Sequence, residues 1–171
     1  MLVNPVSGLA NDYLNHFNEA VMIIEQLPVM PELIEDLLAW RPLSYDDYFT
    51  LSPLPDRDKA RLAYQKLDTH FRRQFEDVVA DLDHLATGSI VAIRLHLRSD
   101  AQDTTDKLTS LCSRAGSSLR DVLKKATSII NTGMAEATEN AQRRADRLLA
   151  VKLRAMQDVD DFFKRAQSAR G

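Results

Sequence analysis

Apolar residues recur at alternating spacings of four and three along one long stretch of this chain, and this periodicity constrains the fold more than any other feature. Such spacings return side chains to one face of an α-helix. Between residues 69 and 97 the repeat runs through Phe71, Phe75, Val78, Leu82 and Leu85. A second stripe lies beside it and consists of Val79, Ala86, Ile90, Ile93 and Leu97. Two adjacent stripes predict a helix that packs against at least two neighbours in a bundle.

Residues 104–168 carry the same periodicity and predict almost continuous helix. One seam comprises Leu108, Leu111, Ala115, Leu119, Val122, Ala126 and Ile129. Another comprises Ala141, Ala145, Leu148, Ala155, Val159, Phe162 and Ala166, with Leu149, Leu153, Met156 and Phe163 adjoining. Between them, the sequence Asn-Thr-Gly at 131–133 predicts a helix C-cap or a reversal point, because glycine adopts the left-handed conformation that often ends a helix.

Prolines divide the first 56 residues into short helices. The first helix is expected to begin near Asn11 or Asp12 and to stop at Pro28, and the second to run from Pro31 to Pro42. In the proline-rich connector that follows, Ser44 and Asp47 predict a capped turn carrying several aromatic residues. This turn is expected either to close one end of a bundle as a flap or to form a binding motif. Another helix is expected over 57–67, and Asp68 or Thr69 starts the next.

These elements predict an all-α fold: an antiparallel helical bundle with short N-terminal helices and long amphipathic C-terminal helices. Only five glycines are present, too few for a turn-rich β architecture, and 44% of the residues are hydrophobic, enough to bury a core. We expect a single helical domain over residues 1–171. Within it, 1–56 form the acidic N-terminal helices and connector, 57–98 the central helices, and 104–168 the long C-terminal helices.

Charge is distributed unevenly along the chain. The net charge is −8 over residues 1–56, +1 over 57–100 and +4 over 101–171. An acidic head and a basic tail attract each other, within one chain or between two. A basic stripe on the final helix is expected to be a solvated face, since Asp146 interrupts it and no aromatic residue is interleaved for base stacking. The stripe consists of Arg143, Arg144, Arg147, Lys152 and Arg154. No nucleic-acid partner is expected.

Cysteine content and hydropathy predict a cytoplasmic protein. Cys112 is the only cysteine, so no intrachain disulfide forms, and its place on an apolar stripe indicates packing rather than nucleophilic catalysis. The N-terminus has no basic leader typical of a signal peptide. The longest run without charge, residues 1–11, is far shorter than the about 20 apolar residues that a transmembrane helix needs. The histidine spacing suggests no metal site, and no cofactor is expected.

One short stretch carries a pattern with chemical meaning. His84, Gly88 and Ser89 resemble the His-x-x-Lys-Gly-Ser motif of bacterial histidine phosphotransfer domains over six residues. The resemblance implies His84 as the phosphoacceptor on an exposed helix face of a four-helix bundle, with Gly88 leaving room for a partner's active site. Helical geometry independently places His84 on the polar face, about 200° from Leu82. Thr87 departs from the motif, which has a lysine there, and Asp81 and Asp83 add negative charge.

The long alanine-rich helices are also similar in composition to the phasins, which coat polyester granules in bacteria. That likeness covers residues 104–168 and has no motif behind it. The function that the sequence favours is non-catalytic: a cytosolic helical interaction, adaptor or regulatory protein that binds protein partners and self-associates through helix faces. Histidine phosphotransfer through His84 is the first alternative, and a phasin-like granule coat is the second.

Overall fold

The computed structural model describes the backbone of residues 2–99 and 104–168, and the side chains of these residues except 104, 134–141, 144–145, 155 and 158–168. The α-helices are α1 (Asn15–Gln26), α2 (Ile34–Ala39), α3 (Tyr45–Leu51), α4 (Arg57–Gln65), α5 (Thr69–Arg98) and α6 (Thr104–Ser168). Short 3₁₀ turns precede α1 and α2, at Asn11–Leu14 and Pro31–Leu33. The prediction of an all-α helical bundle is confirmed, and the described residues contain no strand.

Local capping fixes where several of these helices begin. The Asp68 carboxylate accepts hydrogen bonds from the backbone N–H groups of His70 and Phe71, at 2.9 and 3.0 Å, and so starts α5. The Ser44 hydroxyl accepts from the backbone N–H of Asp47 at 3.1 Å and donates to its carboxylate at 2.7 Å. Both caps were predicted from the sequence. The predicted cap at Asn11 or Asp12 is absent, because the turn there begins after Ala10 with no side-chain cap.

Aromatic residues from the N-terminal half meet in one buried cluster. Tyr13 lies at its centre, with ring-centroid distances of 5.7 Å to Phe17, 5.2 Å to Tyr45 and 6.1 Å to Phe75. Phe49, also fully buried, contacts Tyr45 at 4.8 Å. The connector helix α3 therefore packs Tyr45 and Phe49 into the core. Edge-on ring pairs of this kind add about 0.5–1.5 kcal/mol each beyond the area they bury.

Two compact units divide the chain, one over residues 1–134 and the other over 135–171. In the first unit, the part of α6 before residue 133 buries Leu108, Cys112, Leu119, Leu123, Ala126 and Ile130. The buried face is thus turned slightly from the predicted seam, whose members Leu111, Val122 and Ile129 are only half-buried.

Gly133 interrupts α6 with a backbone conformation of φ 70° and ψ −160°. Only glycine adopts this region readily. A side chain there would also press on Val6, because a Cβ atom would lie 3.1 Å from the Val6 carbonyl oxygen. The break that the Asn-Thr-Gly sequence predicted is confirmed.

Candidate functional site

The second unit is a helix with large apolar side chains in solvent. The residues concerned are Leu148, Leu149, Val151, Leu153 and Met156, each more than half exposed. At about 100° per residue, Leu149, Leu153 and Met156 lie within about 60° of one another around the helix axis. We call these three residues the apolar row. Its three residues adjoin the second predicted seam, whereas the first predicted seam is partly or fully buried within residues 1–134.

Basic side chains accompany the apolar row. Arg147 and Arg154 are both exposed and stand seven residues apart, so they occupy one face of the helix. That face lies about 100–120° from Leu153 and about 140–180° from Leu149 and Met156, so it is nearly opposite the apolar row. Lys152 is exposed on the other side of the row. The side chain of Arg144, which the sequence placed in the basic stripe, lies outside the described residues. The described part of this helix is therefore basic and amphipathic.

A surface groove of about 600 Å³ lies between α1 and α2 in the first unit. Its apolar lining includes Met22, which is 50% exposed, together with Leu33 and Ala39. The full lining is His16, Glu19, Met22, Ile23, Leu33, Asp36, Ala39, Trp40, Arg41 and Leu43. We call this the α1–α2 groove. Apolar surface left open to water in a concave site is typical of a place where another molecule binds.

His16 and Trp40 form the end of the groove. Their rings are stacked at 4.7 Å with an interplanar angle of 20°. The Trp40 indole N–H donates to the His16 carbonyl oxygen at 3.0 Å, and His16 Nε2 lies 2.7 Å from the carbonyl oxygen of Arg41. Burial lowers the pKa of His16, although the Arg41 carbonyl and Glu19 act in the opposite direction. His16 is therefore half-buried against Trp40.

Carboxylates surround the α1–α2 groove. Glu19 and Asp36 line it, and Glu32 and Glu35 are exposed nearby on the α2 side. Among the side chains that the structure describes, none of these four has an ion-pair partner. The one cation in the lining, Arg41, donates to the carbonyl oxygens of Leu38 and Trp40 at 2.6 and 2.7 Å. Its charge is therefore used at the C-terminal end of α2, where helix carbonyls attract cations.

Two other acids of the N-terminal half, Asp46 and Glu25, form ion pairs with arginine, unlike the four acids at the α1–α2 groove. Arg61 binds Asp46 through two hydrogen bonds of 2.9 and 3.0 Å, and Arg120 binds Glu25 through two of 2.7 and 2.6 Å. In each pair the arginine's hydrogen bonds lower the carboxyl pKa. The predicted attraction between the acidic N-terminal part and the basic C-terminal part is thus visible in the Glu25–Arg120 contact.

The His84 surface is open, as the resemblance to phosphotransfer domains implies. His84, Thr87 and Gly88 are exposed, Ser89 is half-buried, and Leu82 on the opposite side of the helix is fully buried. No atom of the described residues lies within 4 Å of where a Cβ on Gly88 would be. The neighbourhood remains acidic and offers no lysine at position 87.

Asp83 adds an unusual carboxylate beside His84. Its Oδ1 atom is buried and has no hydrogen-bond partner among the described residues. Burial raises the carboxyl pKa, while His84 acts to lower it. A carboxylate held in this way would repel a phosphoryl group only when ionised.

Cys112 lies on the buried face of α6. Cys112 is buried, and burial raises the pKa of its thiol to about 11, so it is protonated and packs as an apolar residue at neutral pH.

Among the described residues, no group of three or more His, Cys, Asp or Glu side chains is arranged to hold a metal ion. In the same part of the chain, no helix combines the length and apolarity needed to cross a membrane.

The fold and these surfaces define an all-α helical bundle that carries an acidic groove and a basic amphipathic helix. The chain matches no protein-family model, no curated protein and no solved structure.

The α1–α2 groove was not predicted from the sequence. Its acids contribute to the net charge of −8 over residues 1–56. The missing information was how α1 and α2 pack against each other. The two prolines between them, Pro28 and Pro31, indicated a tight connection and hence neighbouring helices.

Proposed function

We propose that this chain is a non-catalytic cytoplasmic interaction protein that self-associates through the apolar row and binds other proteins through helix faces. The observation that carries the proposal is the contrast between two parts of one helix. Residues 104–132 of α6 have a buried apolar face, whereas Leu149, Leu153 and Met156 further along are exposed. Full burial of a leucine or methionine contributes about 1.5–3 kcal/mol, so covering the row favours association by several kcal/mol before entropic costs.

The proposal is tested by sedimentation equilibrium of the full chain and of the double variant Leu149→Gln/Leu153→Gln. Glutamine is a good helix former, so the helix is kept while its apolar row is lost. We expect a reversible dimer for the original chain and an association constant at least about tenfold weaker for the variant.

The matched control is the same pair of leucine-to-glutamine changes at two exposed leucines outside the apolar row. Leu62 on α4 and Leu95 on α5 are 55% and 58% exposed, close to the values of 56% for Leu149 and Leu153. The variant Leu62→Gln/Leu95→Gln should associate as the original chain does. A 19.3 kDa monomer at every concentration, or equal loss in the control, would contradict the proposal. A monomer that coats polyester granules through Leu149 and Leu153 would support the phasin-like alternative instead.

Histidine phosphotransfer through His84 is the second candidate, because His84 is exposed and the space over Gly88 is open. Its test is incubation with phosphorylated receiver domains from the same host. Acid-labile label on the original chain but not on His84→Ala would establish transfer. Gly88→Gln should then block transfer by filling the open space, while leaving the fold intact. Absence of label with every receiver domain would leave the interaction function as the better account.

A further inference from the structure

The α1–α2 groove receives one carboxylate from each of its two helices. On α1, Glu19 lies one turn before Met22 and Ile23, which also line the groove. On α2, Asp36 lies one turn after Leu33, another lining residue. Residues three or four apart share one face of a helix, so each carboxylate borders apolar side chains of the same groove. Acidic and apolar surface therefore alternate on both helices.

This arrangement determines what an occupant of the groove must carry. A molecule that covers the groove removes its apolar lining and its carboxylates from water together. Glu19 and Asp36 have no ion-pair partner among the described side chains. An ionised carboxylate that loses its water without gaining a cation is strongly destabilised. The occupant therefore needs apolar side chains with cations directly beside them.

The apolar row of this chain does not meet that requirement. Arg147 and Arg154 lie nearly opposite the row, so they would point away from any groove that the row covers. Lys152 borders one side of the row, but Asp146 lies within about 60° of Leu149 on the other side. The row would thus bring one cation and one further acid to an acidic groove. A second copy is therefore not the occupant that the charges select.

We propose that the α1–α2 groove binds a basic amphipathic helix of another protein, whose lysine or arginine side chains flank its apolar residues. A third helix that lies between two packed helices contacts both of them, as in helix-in-groove recognition. The apolar residues of the partner cover Met22, Leu33 and Ala39, while its cations pair with Glu19 and Asp36. The assignment rests on the protein-binding role proposed above and names the surface and the chemistry of the partner.

Longer-range charge favours the same partner. Glu32 and Glu35 are exposed on the α2 side of the groove, and residues 1–56 carry a net charge of −8. A field of this sign accelerates the approach of a basic helix. It repels anionic surfaces such as nucleic acids or acidic membrane headgroups.

Two synthetic helices of identical composition test the proposal on the full chain. Both are eighteen-residue, alanine-based peptides with leucines at the fourth, eighth and eleventh positions, a row of about 10.5 Å that matches the about 9 Å of α2. In the flanking peptide, lysines at the first, seventh and twelfth positions lie about 60–80° from the centre of the row. In the opposed peptide, lysines at the second, ninth and thirteenth positions lie about 140–180° from it. Fluorescence anisotropy of the labelled peptides should show at least about tenfold tighter binding of the flanking peptide.

Neutral variants of the chain identify the carboxylates involved. Glu19→Gln/Asp36→Asn keeps the size of both side chains and should bind the flanking peptide at least about tenfold more weakly than the original chain. The matched control Asp77→Asn/Asp81→Asn removes two exposed acids from α5 and should bind as the original chain does. Circular dichroism verifies that both variants remain folded.

The apolar lining and the direct charge contact have their own tests. Met22 is 50% exposed and Leu62 on α4 is 55% exposed, so neither substitution disturbs the core. Met22→Gln should weaken binding of the flanking peptide several-fold, whereas Leu62→Gln should not. Charge reversal in Glu19→Lys/Asp36→Lys should create tight binding of a flanking peptide whose lysines are replaced by glutamates, which the original chain repels.

The outcomes separate this inference from self-association through the apolar row. Equal affinity for the two peptides, or equal loss in the Asp77→Asn/Asp81→Asn control, would show general attraction to an acidic chain and overturn the inference. Absence of peptide binding by a chain that still dimerises would overturn it and leave self-association intact. A monomeric chain that binds the flanking peptide through Glu19 and Asp36 would do the reverse. Loss of dimerisation in Glu19→Gln/Asp36→Asn would place a second copy in the groove and overturn the assignment to another protein.

Discussion

At the scale of single residues, His16 shows how burial sets the charge state at the end of the α1–α2 groove. The neutral ring stacks on Trp40, and burial lowers the pKa of His16 below its ordinary value of 6.5. The unfolded chain therefore binds a proton at His16 before the folded chain does. Above pH 6.5, His16 is neutral in both states and does not change the free energy of unfolding. Below pH 6.5 the unfolded chain is protonated first, so the folded state loses stability as the pH falls.

Trp40 provides a direct readout, because it is the only tryptophan in the chain. A protonated imidazole stacked on an indole quenches its fluorescence. We predict that Trp40 emission falls on acidification with a midpoint below pH 6.5, while far-UV circular dichroism stays constant. The variant His16→Gln should lack this transition. A midpoint at or above 6.5, or the same transition in His16→Gln, would show that the stacking or the burial of His16 is wrong.

At the scale of elements, two helical glycines have opposite surroundings. Gly88 on α5 is exposed, and in the described part of the chain no atom lies within 4 Å of an added Cβ. Gly116 on α6 is buried beneath the side chain of Glu25, and an added Cβ would lie 2.8 Å from Glu25 Cγ. The absence of a side chain at Gly116 thus allows Glu25 to cross α6 and bind Arg120.

We predict that Gly88→Ala raises the free energy of unfolding by about 1 kcal/mol, the difference in helix propensity between the two residues. Gly116→Ala should give a smaller gain or a loss, because Glu25 must move and release Arg120. Urea denaturation measures both effects. In a Glu25→Ala background, Gly116→Ala should recover most of the gain. Equal stabilisation by both glycine substitutions in the original chain would refute the close approach at Gly116.

At the scale of the whole molecule, the buried core belongs to one unit. Every described side chain that is buried lies within residues 7–130, and the large apolar side chains described beyond residue 134 are exposed. Residues 1–134 also form one of the two compact units.

We predict that a chain ending at residue 134 keeps the near-UV circular dichroism of its aromatic cluster and its urea midpoint, within about 0.5 kcal/mol of free energy under monomeric conditions. Its self-association should be lost, because the apolar row is removed. The full chain at the same low concentration serves as the control. Loss of the near-UV signal on truncation would mean that residues 135–171 contribute to the core.

The sequence determined the features that depend on neighbouring residues. The bounds of α5, the caps at Ser44 and Asp68 and the break at Gly133 each involve residues within a few positions, and 3–4 periodicity or turn chemistry specifies them. The same periodicity placed His84 on the exposed face and Leu82 in the core. It also gave the apolar stripe that includes Leu149 and Leu153, both of which are more than half exposed.

Only the tertiary structure decided the features built from distant residues. His16 and Trp40 stand 24 residues apart and Glu25 and Arg120 stand 95 apart, and helix periodicity says which face each occupies but not which other face it meets. The α1–α2 groove likewise exists because two short helices pack side by side with Glu19 and Asp36 at its edges. Pairing of helix faces depends on the shape and volume of many side chains at once, so it emerges only when the whole core is assembled.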